Sequence, residues 1–189
     1  AQALGLDPDL PTLLVTGGSL GALHVNESMT GAADALPDGA QVVHLTGRGK
    51  DEPVRAAVEA AGLSDRWHVI DYLTTMEDAL AVADLVVCRS GAGTVAEMEA
   101  LGLPCIYVPL PIGNGEQRLN AADHVAAGGA QLIDDKDFTA DFVRRNVFPL
   151  LGSNRLADMA AASQSLGRAG AARALADLAL EQVKEDGHE

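Results

Sequence analysis

Aromatic residues make up only 3% of this 189-residue sequence, so it has little material for the stacking platforms that bind single-stranded nucleic acid. Basic residues are also few. Thirteen lysines and arginines stand against 27 aspartates and glutamates, which gives a formal net charge of −14. Duplex nucleic acid and anionic membranes both attract clustered basic side chains. We therefore expect no nucleic-acid partner and no docking of this chain on an anionic membrane.

Long apolar runs and cysteines are scarce as well. No run approaches the roughly 18 apolar residues of a membrane-spanning helix, and the first residues have neither the basic region nor the apolar core of a secretory signal. We expect a cytoplasmic chain with no direct membrane insertion. The two cysteines, Cys88 and Cys105, lie in apolar runs, which favours buried, reduced thiols. Without a clustered set of Asp and His ligands, we expect no metal and no cofactor.

Apolar residues make up 48% of the sequence, and they fall in short runs that alternate with helix-forming segments. This alternation predicts an α/β fold with a Rossmann-like, doubly wound parallel sheet of about six strands. The predicted strands are Thr12–Thr16, Gln41–Thr46, Trp67–Ile70, Leu85–Cys88, Cys105–Val108 and Gln131–Ile133. The predicted helices are Ala22–Leu36, Asp51–Ala61, Met76–Val82, Ala92–Leu101, Gln117–Ala127 and Ala140–Leu151. Residues 1–11 are predicted to be a leader or linker, and residues 12–189 one domain with C-terminal helices from Asn154 onward.

The segment Cys88–Glu97 leads from the fourth predicted strand through glycines into a helix. The glycines let the backbone approach a ligand, and the first helical turn offers N–H groups to an anion such as phosphate. Thr94 has a hydroxyl for the phosphate, and the Glu97 carboxylate can accept two hydrogen bonds from a sugar diol. Together these features favour a nucleotide. The alternative is a capping box, because Thr94-x-x-Glu97 has that form too.

A second glycine-rich turn, Gly17–Gly21, follows the first predicted strand and matches the G-x-S-x-G pattern of serine hydrolases, with Ser19 as nucleophile. A hydrolase turn normally follows several strands, and only His124 or His188 comes late enough to complete the usual order of a triad. The alternative role for Ser19 is phosphate binding at a helix start. A third hypothesis, an NAD-binding module, follows from the G-x-G-x-x-A pattern at Gly91–Ala96, although that pattern belongs after a first strand.

The loop that begins at Pro109 is rich in proline and glycine, and a polar helix start follows it. Glu116, Gln117 and Asn120 carry carboxylate and amide groups that suit sugar hydroxyls. An ordinary polar helix start is the alternative. Because this loop and both glycine-rich turns follow strands on one carboxyl edge, we expect them to meet at one site.

Four motifs in order carry a resemblance to a known family: Thr16–Gly21, Tyr72-Leu73-x-x-Met76, Cys88–Glu97 and Glu116-Gln117-x-x-Asn120-Ala121. Over residues 12–165 the chain resembles the carboxyl-terminal domain of the MurG family. These bacterial enzymes transfer N-acetylglucosamine from UDP-N-acetylglucosamine to undecaprenyl-diphospho-muramoyl-pentapeptide, making lipid II for peptidoglycan. They have the two-domain glycosyltransferase-B fold.

The resemblance implies a role for each matched residue. Ser19 and Thr94 would contact the diphosphate beside the helix start at Ala92 and Gly93, and Glu97 would bind the ribose hydroxyls. The backbone of Leu73 would contact uracil. Gln117 and Asn120 would contact the N-acetylglucosamine, beside Glu116, where other members often carry an amide or histidine. Arg89 is similar to the family's arginine at this turn, with bracing of the turn as its alternative role.

The resemblance also implies partners. It covers a donor-binding half, so we expect no catalytic residue in this chain and no transfer by it alone; His24 and His124 lie in helix-like segments and are expected to pack or face solvent. The acceptor-binding amino-terminal domain would act in cis or in trans, and the lipid-linked muramoyl-pentapeptide would bind through it. The full-length enzyme would work at the cytoplasmic face of the bacterial inner membrane.

Overall fold

The strands form one parallel sheet. The computed structural model describes residues 1–18, 22–112 and 114–167. Its strands run in the order β3-β2-β1-β4-β5-β6, and every neighbouring pair is parallel. Their bounds are β1 Thr12–Thr16, β2 Gln41–Leu45, β3 Trp67–Ile70, β4 Leu85–Cys88, β5 Cys105–Tyr107 and β6 Ala130–Leu132. The predicted doubly wound fold is confirmed.

Helices cover both faces of this sheet, so the central strands are buried on both sides, as their unbroken apolar runs indicate. In β1, Leu13 and Val15 belong to one apolar core and Leu14 to the other. The α-helices are α1 Leu23–Thr30, α2 Asp51–Ala60, α3 Met76–Ala81, α4 Ala92–Leu101, α5 Glu116–Asn120, α6 Ala122–Ala126, α7 Ala140–Phe142 and α8 Asn154–Leu166.

Three helices predicted as continuous are broken in the structure. The one predicted at Ala22–Leu36 ends at Thr30, and only a short 3-10 turn follows. At this end the Arg144 guanidinium donates a hydrogen bond to the carbonyl of Gly31. The one predicted at Gln117–Ala127 is interrupted at the fully buried Ala121, which separates α5 from α6. The third, predicted at Ala140–Leu151, begins as the short helix α7. It continues as a π-helix and then as a 3-10 turn that contains Pro149, which lacks an N–H group.

The first residues of the chain, predicted as a leader or linker, lie against the domain. Leu6 is buried in the core on one face of the sheet. The side chain of Gln41, at the start of β2, accepts a hydrogen bond from the Asp7 N–H and donates one to the Asp7 carbonyl. These contacts fix the path of the backbone before β1. The division of the chain at residue 12 stays a prediction.

A buried polar network surrounds His44, a residue of β2. His44 is fully buried, its Nε2 lies 3.0 Å from Asn26 Oδ1, and its Nδ1 accepts a hydrogen bond from Trp67 Nε1 at 3.3 Å. Because the indole nitrogen only donates, Nδ1 must be unprotonated and the neutral ring carries its proton on Nε2. Burial lowers the pKa of His44 to about 3. The folded chain therefore keeps this ring neutral under mildly acidic conditions.

We predict that acid destabilises the fold through this ring. At a pH below about 6.5, the pKa of histidine in the unfolded chain, the unfolded chain binds a proton at His44, whereas the folded chain leaves this ring unprotonated. The free energy of unfolding therefore falls as the pH drops toward 3. The full slope of about 1.4 kcal/mol per pH unit applies only below about pH 6.5, so the loss between pH 7 and pH 5 is about 2 kcal/mol from His44 alone. Urea unfolding at both pH values measures it. His44→Gln should lose less stability over this interval, and equal losses would contradict the prediction.

Candidate functional site

The order of the strands creates a crevice at the carboxyl edge of the sheet. β1 and β4 are neighbours, and the helices that follow them cover opposite faces, since Val25 of α1 and Val95 of α4 belong to different cores. Ligands of doubly wound sheets bind where the strand order reverses in this way. The two glycine-rich turns of the sequence follow these two strands. The position predicted for a ligand is therefore an open crevice.

A first cleft of about 260 Å³ lies at this crevice. Its lining includes four of the predicted site residues: Leu73, Arg89, Thr94 and Glu97. They come from the loop after β3, the end of β4 and the first turns of α4. Residues separated by more than twenty positions in sequence thus face one cavity. Residues from the Tyr72–Met76 and Cys88–Glu97 motifs therefore line one cleft, as the sequence predicts for a shared site.

The first turn of α4 has unpaired backbone N–H groups that could bind an anion beside this cleft. Gly91 is the N-cap, no side chain caps the helix, and its first turn contains no acidic residue. Ala92 and Gly93 are exposed, so their N–H groups point from an open helix start. Thr94 is the third helical residue rather than the cap, and the capping-box alternative is therefore wrong. An uncapped N-terminus of this kind favours a bound anion.

Glu97 lines the same cleft one helical turn further along α4. Its side chain is exposed, and no group within the described part of the chain forms a hydrogen bond or ion pair with its carboxylate. Thr94 lies one turn before it and lines the same cleft. The carboxylate and the hydroxyl therefore stand on one helix face, available to a sugar diol and a phosphate respectively.

The far end of the cleft, toward β2 and β3, is mostly apolar. Leu45, Leu73 and Met76 line it, together with the half-exposed ring of Tyr72. The guanidinium of Arg48, in the loop after β2, lies over this ring, with Cζ 3.7 Å from the ring centre. Sequence reasoning missed Arg48, although its position just after a strand was a usable signal. The stacked guanidinium holds the Tyr72 ring from outside the cleft, because Arg48 itself is not one of the lining residues, and Asp71 lines the cleft beside Tyr72.

The predicted sugar-binding residues lie in a different place. Glu116 and Gln117 line a second cleft, of about 620 Å³, between the loop after β5 and the loop after β6. Gln117 Oε1 accepts a hydrogen bond of 2.9 Å from the Leu110 N–H, so its amide nitrogen is the polar group left for a ligand. Asn120 lines neither cleft, and its Nδ2 donates to the carbonyl of Ser90 at 3.1 Å. Four of the described predicted residues thus line the first cleft, two line the second, and Ala92, Gly93 and Asn120 line neither.

Arg89 stands at the boundary of these cavities. Its Nη1 donates to the carbonyls of Val108 and Pro109, at 3.0 and 3.2 Å, and forms an ion pair with Asp135. The guanidinium thereby ties the end of β4 to the loops after β5 and β6. In this structure Arg89 therefore braces the two loops against β4, and its side chain also lines the first cleft.

Ser19 lies outside the described residues, as does His188. His124, the other histidine considered for a triad, is fully buried, with Nδ1 2.9 Å from the Tyr107 hydroxyl and Nε2 2.7 Å from Ser163 Oγ. Burial lowers its pKa. Both nitrogens are engaged within the core, so His124 is not placed to activate a serine at the carboxyl edge. The serine-hydrolase alternative has no support from the described residues.

Two further findings concern ligands and membranes. Across residues 1–18, 22–112 and 114–167, no three His, Cys, Asp or Glu side chains come together in a group that could hold a metal ion. Over the same residues, no helix has both the length and the apolar character that a bilayer span requires.

A doubly wound sheet with an open helix start and a carboxylate at its switch point is the architecture of a nucleotide-binding domain. The family model of the glycosyltransferase family 28 C-terminal domain matches residues 12–178, and the chain belongs to this family. Its membership leaves both the serine-hydrolase and the NAD-binding alternatives unsupported.

Relatives in sequence and structure agree with this assignment. The chain is 48% identical over 185 residues to the UDP-N-acetylglucosamine--N-acetylmuramyl-(pentapeptide) pyrophosphoryl-undecaprenol N-acetylglucosamine transferase of Paenarthrobacter aurescens, covering 96% of this chain and 49% of that protein. It is 45% identical to the Streptomyces coelicolor protein of the same name, covering 95% and 49%. MurG of Acinetobacter baumannii superposes with a TM-score of 0.81 at 28% identity, covering 89% and 51%. The chain therefore spans about half the length of the relatives it matches.

Proposed function

We propose that this chain binds UDP-N-acetylglucosamine as the donor domain of an inverting N-acetylglucosaminyltransferase that makes lipid II. The observation that carries the proposal is the meeting of Thr94 and Glu97 with an uncapped helix start in one cleft at the switch point. A helix start attracts a diphosphate, and a carboxylate one turn later can hold a ribose diol. The printed names of the relatives support the donor and the reaction.

In the proposed complex the nucleotide lies along the first cleft. The diphosphate accepts hydrogen bonds from the backbone of Ala92 and Gly93 and from the Thr94 hydroxyl, and the resemblance implies a further contact from Ser19. The uracil lies at the apolar end, against the backbone of Leu73 and the Tyr72 ring. The N-acetylglucosamine then points toward the side of the site where Glu116, Gln117 and Asn120 are found.

We expect donor binding to need no divalent cation, because helix N-termini supply the positive potential that a metal ion supplies in other nucleotide sites. Calorimetric titration of the 189-residue chain with UDP-N-acetylglucosamine, in the presence of a chelator, tests this. The expected result is saturable binding that is unchanged when the chelator is replaced by magnesium. An absolute requirement for magnesium, or the absence of binding in both conditions, would contradict the proposal.

Transfer itself needs a further group in our proposal. Attack of a hydroxyl on the anomeric carbon needs a general base on the face opposite the departing UDP. None of the four described histidines lines the first cleft, and His44 and His124 have both ring nitrogens engaged in the core. We propose that an acceptor-binding amino-terminal domain supplies the base and holds the lipid-linked muramoyl-pentapeptide. We also propose that the complete enzyme works at the cytoplasmic face of the bacterial inner membrane.

A further inference from the structure

Two consecutive aspartates after β6 hold arginines from two different parts of the site. Asp134 forms an ion pair with Arg118 of α5, and Asp135 forms one with Arg89 at the end of β4. Both aspartates line the second cleft, whereas Arg89 lines the first. The Arg89–Asp135 pair is therefore part of the wall that the two clefts share.

The two pairs differ in burial. The side chains of Arg89 and Asp135 are 14% and 16% exposed, whereas those of Arg118 and Asp134 are 51% and 41% exposed. Removing one partner from a buried pair leaves an uncompensated charge and is costly, whereas exposed pairs contribute little. The position of the Arg89 side chain thus depends on Asp135, and α5 depends much less on Asp134.

A continuous set of contacts runs from Asp135 to the sugar side of the site. Asp135 holds Arg89, and Arg89 donates to the Pro109 carbonyl, where the loop after β5 begins. The next residue, Leu110, donates its N–H to Gln117 Oε1. This last bond orients the amide of Gln117, so that its nitrogen is the group left for a ligand.

We propose that Asp135 is a positioning residue that sets how well the site recognises the sugar of its donor. It acts through Arg89, which holds the Pro109–Leu110 peptide and through it the Gln117 amide, and it does not touch the nucleotide itself. The inference rests on the proposed function, because it assumes that a UDP-sugar spans the two clefts. It predicts that sugar recognition and nucleotide recognition can be separated by one substitution.

The test compares Asp135→Asn with Asp134→Asn in the 189-residue chain. Calorimetry gives the Kd for UDP and for UDP-N-acetylglucosamine, and the ratio of these two constants reports recognition of the sugar. We expect Asp135→Asn to change the ratio against the sugar nucleotide by about fivefold or more, the low end of measured couplings between sites, with little effect on UDP. The matched variant Asp134→Asn removes the same charge from the lining of the second cleft but leaves the Asp135–Arg89 pair intact, so it should change the ratio by less than about twofold; an equal change in both variants would show that charge in the cleft, and not Arg89, sets the ratio.

Urea unfolding of the same variants separates positioning from stability alone. If Asp135 only stabilises the fold, Asp135→Asn lowers stability and leaves the ratio unchanged, which overturns the inference. Should the Asn variant fail to fold, Asp135→Glu keeps the charge but displaces it, and the same shift in the ratio is expected; an unchanged ratio there overturns it too. Wild-type chain that fails to bind UDP contradicts the proposed function itself, whereas binding of UDP with no recognition of the sugar contradicts this inference alone.

Discussion

Glu97→Gln is expected to weaken the binding of UDP by about 1.5–3 kcal/mol, or roughly 10- to 150-fold in Kd, the range for loss of charge-assisted hydrogen bonds. The carboxylate is exposed at the cleft and has no partner within the described residues, so its acceptor capacity is free for a ribose diol. The amide that replaces it has one acceptor oxygen and no charge. Isothermal calorimetry with UDP measures the effect.

Glu116→Gln is the matched control, because Glu116 lines the second cleft and UDP carries no N-acetylglucosamine to place there. Its Kd for UDP should stay within a factor of about two of the wild-type value, because surface substitutions change free energies by no more than about 0.5 kcal/mol. A deoxyribose analogue sharpens the test: the wild-type chain should lose more affinity than the Gln variant when a ribose hydroxyl is removed. If both forms lose the same affinity, Glu97 does not bind the diol.

Gly129→Ala is expected to destabilise the fold by about 3 kcal/mol, at the upper end for overpacking of a core. A Cβ at this position would lie 2.4 Å from Ser163 Oγ and 2.6 Å from His124 Cδ2. Neither neighbour can yield cheaply, because Ser163 donates to the Gly129 carbonyl and His124 is held by Tyr107. Urea unfolding at pH 7 measures the loss.

Gly39→Ala makes the same chemical change at a position with nothing within 4 Å of the added Cβ. It should alter the free energy of unfolding by no more than about 0.5 kcal/mol, as surface substitutions usually do. Equal stability of the two variants would show that α8 can move away from α6 without cost. That outcome would contradict the rigid packing of Ser163 against His124.

The strands could be predicted to within about a residue because strands buried on both sides read as unbroken apolar runs. The helix breaks could not. The end of α1 depends on Arg144, more than a hundred residues away, taking a carbonyl of Gly31, and no local pattern contains that contact. The path of the chain near Pro149 had a local signal in the proline, but the π-helix before it did not.

The candidate site shows the same division. Thr94 and Glu97 were accessible to sequence reasoning because a strand, a glycine turn and a helix start are contiguous and place their own side chains. The separation of Glu116 and Gln117 into a second cleft depends on how two loops fold against each other. The contacts of Arg48 with Tyr72 and of Asp135 with Arg89 join residues 24 and 46 positions apart, and no sequence pattern identifies these partners.

The uncapped start of α4 would link the proposed nucleotide binding to the stability of the fold. A phosphate bound there would satisfy N–H groups that side chains satisfy in other helices, and it would bind only the folded chain. By mass action, donor present at a hundred times its Kd adds about 2.7 kcal/mol to the free energy of unfolding. If the chain binds the donor as proposed, removing that nucleotide should lower the resistance of the domain to proteolysis by the same free energy.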